Sequence, residues 1–131
     1  MFVDASAIVA IVAPEDEGQA LSARLDRAAA IRTSAIAVYE AVLGLARKLD
    51  VSVADAEKAV DVFIADAGAE IVPITDEIGR GAIRAFERYG RGRHPARLNM
   101  GDCFAYACAQ ALEVPLLFKG DDFAQPDIPT G

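Results

Sequence analysis

The stretch MFVDASAIVAIV, residues 1–12, decides the class of fold. Residues 1–3 are apolar and predict a short buried strand, whereas residues 6–12 predict a helix that Pro14 stops. Asp4 lies at the junction, directly after the predicted strand. A buried strand that passes into a helix within a few residues is the first unit of a fold in which strands and helices alternate.

The rest of the chain repeats this alternation. We predict further strands over residues 31–33, 70–73 and 115–118, and further helices over about 15–28, 35–49, 53–67, 76–89 and 99–112. The residues that cap or end these helices are Ser34, Ser52 (with Asp55 three residues on), Gly68, Thr75, Gly90 and Asn99. Because the strands are apolar runs, the sequence predicts one α/β domain over residues 1–131, with a central parallel sheet of about four to five strands flanked by helices on both faces.

Composition limits the classes of function. Apolar residues make up 53% of the chain, which predicts exposed apolar surface that a partner or a second copy could cover. The net charge of -7 argues against a passive nucleic-acid binder. No apolar run is long enough for a membrane span, and no export signal is evident, so we expect a cytoplasmic protein.

The cysteines predict neither a disulfide nor a zinc site. Cys103 and Cys108 are five residues apart in one predicted helix and point to different faces, so they cannot pair. His94 is the only histidine, which leaves too few ligands for zinc. A reducing compartment fits both observations.

One short stretch is basic although the chain is acidic. Arg80, Arg84 and Arg88 share a helical face by their spacing, and the stretch contains a single acid, Glu87. These residues are candidates for binding phosphate, although a solvated helix face and loop would also explain them. His94 is a further candidate for RNA contact, although a lone exposed histidine is more often only surface. The basic candidates are Arg80, Arg84, Arg88, Arg91, Arg93 and Arg97.

Four acids occupy positions that suggest a common site. Asp4 follows the first predicted strand and Asp121 follows the last, so in a parallel sheet both lie at the same edge, where ligands bind. Glu40 falls in line with Ile36 and Leu43 on the apolar face of its helix, where a carboxylate is costly unless a cation or donor meets it. Asp102 lies in the first turn of a very apolar helix.

Each acid also has a purely structural interpretation. Asp4 could cap the following helix, and Glu40 could lie at the margin of its stripe and reach solvent. Asp102 could complete a capping box with Asn99, and Asp121 is ordinary composition for a turn. Their combination favours chemistry, because four acids that converge on one cleft repel one another and demand a hard divalent cation. Mg²⁺ meets that demand with carboxylate and water ligands.

Four segments together resemble one known family. They are VDASAIVAI, VYEAVLGL, LNMGDCFAYACA and LLFKGDDF, and they occur in the order and at the spacing that is typical of PIN-domain proteins of the VapC toxin type. The resemblance covers essentially the whole chain. It implies a parallel sheet and an acidic quartet that binds Mg²⁺ or Mn²⁺.

Carried onto this chain, the resemblance assigns roles to particular residues. Asp4, Glu40 and Asp102 are the core acids, Asp121 is the fourth, and Ser6 and Asn99 support them. The fourth position is ambiguous, because Asp122 is adjacent and many relatives carry Thr where this chain has Lys119. The resemblance implies cleavage of RNA by metal-activated water, which leaves a 5' phosphate and a 3' hydroxyl. It also implies a VapB-type antitoxin that blocks the site, and a toxin homodimer.

Two other classes of protein merit comparison. Haloacid-dehalogenase-type phosphatases and receiver domains also place an Asp after a first parallel strand. The former need a second Asp two residues later, where this chain has Ser6, and the latter need an early acidic pair and a later Lys-Pro, whereas Lys119 precedes Gly120. A non-catalytic scaffold with the same fold would show a broken acidic set, and this set is complete in the sequence.

Overall fold

A computed structural model of the chain describes residues 1–93 and 97–120. Four strands and six helices alternate in that part of the chain. The elements are β1 (Phe2–Val3), α1 (Ala5–Val12), α2 (Gly18–Asp26), β2 (Arg32–Ser34), α3 (Ala35–Leu49), α4 (Val53–Ala67), β3 (Glu70–Val72), α5 (Asp76–Tyr89), α6 (Met100–Leu112) and β4 (Leu116–Leu117). The predicted α/β class, parallel sheet and strand count are confirmed.

The sheet has the order β3-β2-β1-β4, and every pair of neighbours is parallel. From the central strand β1 the chain moves outward through β2 and β3, and then crosses to the other side to form β4. The strand order therefore reverses between β1 and β4. In open parallel sheets this reversal opens a crevice at the carboxyl ends of the two strands.

Helices cover both faces of the sheet, as predicted. Phe2 and Leu116 pack with α5 and α6 on one face, whereas Val3 and Leu117 pack with α1, α2, α3 and α4 on the other. Successive residues of a strand point to opposite faces, so even two-residue strands contribute to both cores. All four of these side chains are at most 1% exposed.

The predicted helix caps are confirmed. Ser34, Ser52, Thr75 and Asn99 each accept a hydrogen bond from a backbone amide in the first turn of the helix that follows. Gly68 ends α4 in the left-handed conformation, where L residues are strained.

The second helix begins later than predicted. Residues 15–17 form a turn and not a first helical turn, and α2 starts at Gly18. The Glu15 amide donates to Ala10 O, and the Gly18 amide donates to Glu15 O. A β-carbon at Gly18 would meet Ala10 O, so the glycine permits the close approach of this turn to α1. The acidic residues 15–17 suit the first turn of a helix, but their contacts with α1 hold them in a turn instead.

Within the described residues, no helix is both long and apolar enough to cross a membrane.

Candidate active site

A pocket of about 520 Å³ opens at the carboxyl edge of the sheet, beside the ends of β1 and β4. Asp4, Glu40 and Asp102 all line it, although they come from the end of β1, from α3 and from α6. The sequence separation of these acids shows that the fold, and not local spacing, brings them to one place. The other lining residues are Ala5, Ser6, Val9, Glu15, Gly44, Arg47, Lys48, Asn99 and Lys119.

Asp4 is held by Ser6 and is 4% exposed. Its Oδ2 accepts hydrogen bonds from the Ser6 amide (3.1 Å) and from Ser6 Oγ (2.7 Å). The carboxylate therefore also caps α1. The interpretation of Asp4 as a helix cap is correct, and the same residue also lines the pocket. Ser6 Oγ in turn accepts from the Lys119 amide (3.0 Å), which ties the end of β1 to the segment after β4.

Glu40 lies at the margin of the buried stripe of α3. The stripe consists of Ala37, Ala41, Val42 and Leu45, whereas Leu43 is 37% exposed. The predicted apolar stripe of Ile36, Leu43 and their neighbours is therefore wrong at Leu43, whereas Ile36 is half-buried and the neighbours Ala37 and Val42 are buried. The true stripe is offset from Ile36 and Leu43 because α3 packs on α1 and α4.

The carboxylate of Glu40 nevertheless meets a partly apolar environment. Burial raises its pKa above the usual value, and the negative charge of Asp4 raises it further. Glu40 also lies against Gly101 of α6, where a β-carbon would collide with the carboxylate. A residue without a side chain at position 101 thus makes room for the acid.

Asp102 and Asn99 form a complete capping box at the start of α6. Asn99 Oδ1 accepts from the Asp102 amide, and Asp102 Oδ2 accepts from the Asn99 amide, both at 3.0 Å. The structural interpretation of Asp102 is thus realised, and the same pair of bonds fixes the acid at the rim of the pocket.

The basic stretch does not line this pocket. Arg80 pairs with Asp76 and Arg84 with Glu87 on the exposed surface of α5. Arg88 lies over the Tyr89 ring and Arg93 over the Phe86 ring. Arg91 and Arg97 are exposed on the segment that follows α5. Asp121, Asp122 and His94 lie outside the described residues.

The basic side chains that do line the pocket were missed by the sequence analysis. They are Arg47 and Lys48 at the end of α3, and Lys119 after β4. One signal was available, because Glu40, Gly44 and Lys48 recur every four residues and so share a face of α3. Lys119 and Glu15 gave no such signal, since their association depends on tertiary structure.

The donor chemistry of the pocket fits a hard divalent cation, because the three candidate ligands are all carboxylates. Within residues 1–93 and 97–120, however, no three acidic, histidine or cysteine side chains lie close enough together to hold a metal ion as they stand. The fourth candidate acid falls outside this part of the chain. The fit therefore rests on the type of ligand. A bound cation would also offset the negative charge of Asp4 and so lower the raised pKa of Glu40.

Comparison with protein families identifies the fold. The family model of the PIN domain matches residues 1–129. The chain belongs to the PIN-domain family. Among curated relatives of this PIN domain, Ribonuclease VapC42 of Mycobacterium tuberculosis is 41% identical over 129 residues, which covers 98% of this chain and 96% of the relative. VapC ribonuclease R02377 of Rhizobium meliloti is 40% identical over 139 residues, covering 97% and 98%.

Solved structures agree on the fold of this PIN domain. Mycobacterium tuberculosis VapC20, a toxin described as cleaving the sarcin-ricin loop, superimposes with a TM-score of 0.74 at 18% identity, covering 97% of this chain and 95% of that one. A toxin-antitoxin complex from Klebsiella pneumoniae gives a TM-score of 0.68 at 21% identity, covering 96% and 92%. The predicted resemblance to VapC-type PIN domains is confirmed by the curated relatives.

Proposed function

We propose that this chain is the toxin of a type II toxin-antitoxin system and acts as an endoribonuclease that requires Mg²⁺, with Mn²⁺ as a possible substitute. The observation that carries the proposal is the convergence of Asp4, Glu40 and Asp102 on one pocket at the point where the strand order reverses. The relationship to VapC ribonucleases over nearly the whole chain supports it.

In this proposal the acids hold the cation and their neighbours fix the acids. Asp4 and Asp102 are direct ligands, and Glu40 and Asp121 act directly or through water. Ser6 and Asn99 restrict the rotation of Asp4 and Asp102 by hydrogen bonds. When bound, Mg²⁺ supplies positive charge at the phosphate and activates the water that attacks phosphorus, so that the products carry a 5' phosphate and a 3' hydroxyl.

The experiment that tests this function is cleavage of total cellular RNA by the purified protein. Reactions contain Mg²⁺, Mn²⁺ or EDTA, and a parallel set uses the Asp4→Asn variant. Asn caps helices as well as Asp does, so the variant keeps α1 intact while one carboxylate is lost. We expect discrete cuts with 5' phosphate ends that disappear with EDTA and fall at least a hundredfold in the variant.

A non-catalytic scaffold is the second candidate. It is favoured by one observation, namely that the acids in the described part of the chain are not yet close enough to form a ligand set. If the folded, metal-replete wild type cuts no RNA, the scaffold becomes the better interpretation.

We propose that the protein partner is a VapB-type antitoxin. Within the pocket, the carboxylates of Asp4, Glu40 and Asp102 favour a Lys or Arg inserted from such a partner. An apolar groove of about 570 Å³ between α5 and α6, lined by Ile83, Phe86, Met100 and Phe104 among others, offers surface for a protein contact. Homodimerisation is tested by light scattering on the free toxin, where a dimer has twice the chain mass of 13.8 kDa.

A further inference from the structure

Two lysines and one glutamate form a compact charged group at the rim of the pocket. Glu15 Oε2 accepts a hydrogen bond from Lys119 Nζ at 2.8 Å and lies 3.1 Å from Lys48 Nζ. The Glu15 side chain is only 10% exposed, whereas Lys48 and Lys119 are 51% and 37% exposed. A single carboxylate oxygen thus holds two ammonium groups at the surface.

The charges of this group do not cancel. Two ammonium groups and one carboxylate give a net charge of about +1, and each ammonium has three donors, of which Glu15 takes one. The hydrogen bond from Lys119 lowers the pKa of Glu15 and raises the pKa of Lys119, so both groups are ionised at neutral pH. Asp16 and Glu17 also act on Lys119 through their charges, so what the group offers a further anion is the unused donors of its two ammonium groups.

The position of the group indicates which anion. Lys48, Lys119 and Glu15 line the same pocket as the three acids. On their other side lies a second concavity of about 480 Å³, bordered by Asp16 and Glu17. These two acids repel a phosphate on that side. On the other side, the divalent cation of the proposed function would offset the charge of Asp4, Glu40 and Asp102, so a phosphate can reach the lysine donors from the acid pocket.

We infer that Glu15 is a positioning residue that fixes Lys48 and Lys119 as a site for one RNA phosphate, next to the scissile phosphate that the cation proposed at Asp4, Glu40 and Asp102 would bind. This inference rests on the proposed ribonuclease function. The site positions the RNA backbone and does not discriminate between base sequences, because lysines bind phosphate as point charges. Phosphate binding is therefore a role of Lys48 and Lys119 and not of the arginines of α5.

The backbone supports this role. The Lys119 amide donates to Ser6 Oγ, which donates to Asp4 Oδ2. Lys119 is therefore fixed at two points, by its main chain to Ser6 and by its side chain to Glu15. A phosphate bound at the ammonium group thereby has a defined position relative to Asp4.

The first arm of the test measures RNA binding. Fluorescence anisotropy of a labelled ten-nucleotide oligouridylate is recorded in the Asp4→Asn background with Mg²⁺, between 50 and 300 mM KCl. We expect Lys48→Met with Lys119→Met to weaken binding about tenfold and to reduce the slope of log K against log salt by about 0.7, the value for one phosphate on a single strand. Lys58→Met is the matched control, because Lys58 is exposed on α4 and does not line the pocket. Lys58→Met should change neither the affinity for RNA nor the salt slope.

The second arm measures cleavage in the otherwise wild-type protein. We expect Glu15→Gln to lower kcat about tenfold without weakening RNA binding, because the charge of the group rises while the lysines lose their fixed positions. In the double lysine variant, Glu15→Gln should have no further effect on kcat. A merely structural salt bridge would lower Tm and leave kcat of the folded protein unchanged.

The outcomes separate this inference from the proposed function. If the wild type cleaves RNA but the double lysine variant binds with the slope of the Lys58→Met control, the inference is overturned and the ribonuclease function stands. An equal loss of kcat from Glu15→Gln with and without the lysines also overturns it. If the wild type binds RNA through the lysines but never cleaves, the ribonuclease function fails and the phosphate site remains.

Discussion

Gly101 of α6 lies directly against the carboxylate of Glu40 on α3, so a β-carbon at position 101 would overlap both carboxylate oxygens. We therefore expect Gly101→Ala to displace Glu40 and to lower RNA cleavage at least tenfold, while the protein stays folded. The helix itself favours Ala over Gly by about 1 kcal/mol.

The control for this substitution is Gly79→Ala on α5. A β-carbon at position 79 would have no atom within 4 Å, so this variant should be as active as the wild type and slightly more stable. Initial rates and Tm of both variants provide the comparison. Full activity of Gly101→Ala would show that the position of Glu40 does not matter for cleavage.

The pKa of Glu40 predicts how stability depends on pH. Burial, and then Asp4, raise this pKa above the ordinary value of 4.5, so the folded protein binds the proton more tightly than the unfolded chain does. The resulting contribution to stability is present below pH 4.5 and is lost as pH rises through the folded pKa. At pH 7 in EDTA we expect Glu40→Gln to raise Tm, because the variant has no carboxylate to desolvate and no negative charge beside Asp4.

The same difference should shrink toward zero near pH 4, where the wild-type carboxyl is also neutral. Calorimetric scans of both proteins across this range test the expectation. A variant that is less stable than the wild type at pH 7 in EDTA would mean that the charged form of Glu40 is stabilised in the folded protein.

Ser6 connects the first acid to the segment after the last strand. Ser6→Ala removes the hydroxyl that donates to Asp4 and accepts from the Lys119 amide, while the backbone amide of residue 6 still donates to Asp4. We expect the free energy of unfolding to fall by about 1–2 kcal/mol and cleavage to fall about tenfold. Ser22→Ala on α2, away from the pocket, serves as the control in urea titrations and cleavage assays. Equal effects of the two substitutions on stability and cleavage would show that Ser6 has no specific role in the site.

The two cysteines should be unreactive in the folded protein. Burial raises the pKa of Cys103 to about 11, with a further contribution from Asp102, and burial raises that of Cys108 to about 11. Because the thiolate is the reactive form, we expect iodoacetamide at pH 8 to leave both thiols unmodified in the native state. Both should react in guanidinium chloride. Intact-mass spectrometry distinguishes the two states, and rapid native alkylation would indicate that α6 opens.

The sequence predicted the fold well because its signals are local. Apolar runs marked the strands, and Ser34, Thr75 and Asn99 marked helix starts by side-chain chemistry that acts within three residues. Asp4 could be placed at the carboxyl edge of the sheet because a parallel sheet has only one such edge. These features needed no knowledge of how distant segments pack.

The parts of the site that were missed depend on packing between distant segments. Glu15 looked like the start of a helix, yet it binds Lys119, 104 residues away. The buried stripe of α3 could not be located from periodicity alone, because α3 has apolar residues on several sides and its packing against α1 and α4 selects the buried ones. Gly101 likewise has no local reason to be glycine, and its role is visible only once α3 lies beside α6.

The hydrogen bond from the Lys119 amide to Ser6 spans 113 residues and depends on β4, which pairs with β1 although it is the last of the four strands in the described part of the chain. A nascent chain on the ribosome therefore contains β1, β2 and β3 before β4, the second neighbour of β1, exists. Until β4 is added, Lys119 is absent and its hydrogen bond to Ser6 cannot form. We expect such unfinished chains not to cleave RNA, so that activity begins only once residues 116–119 have joined the fold.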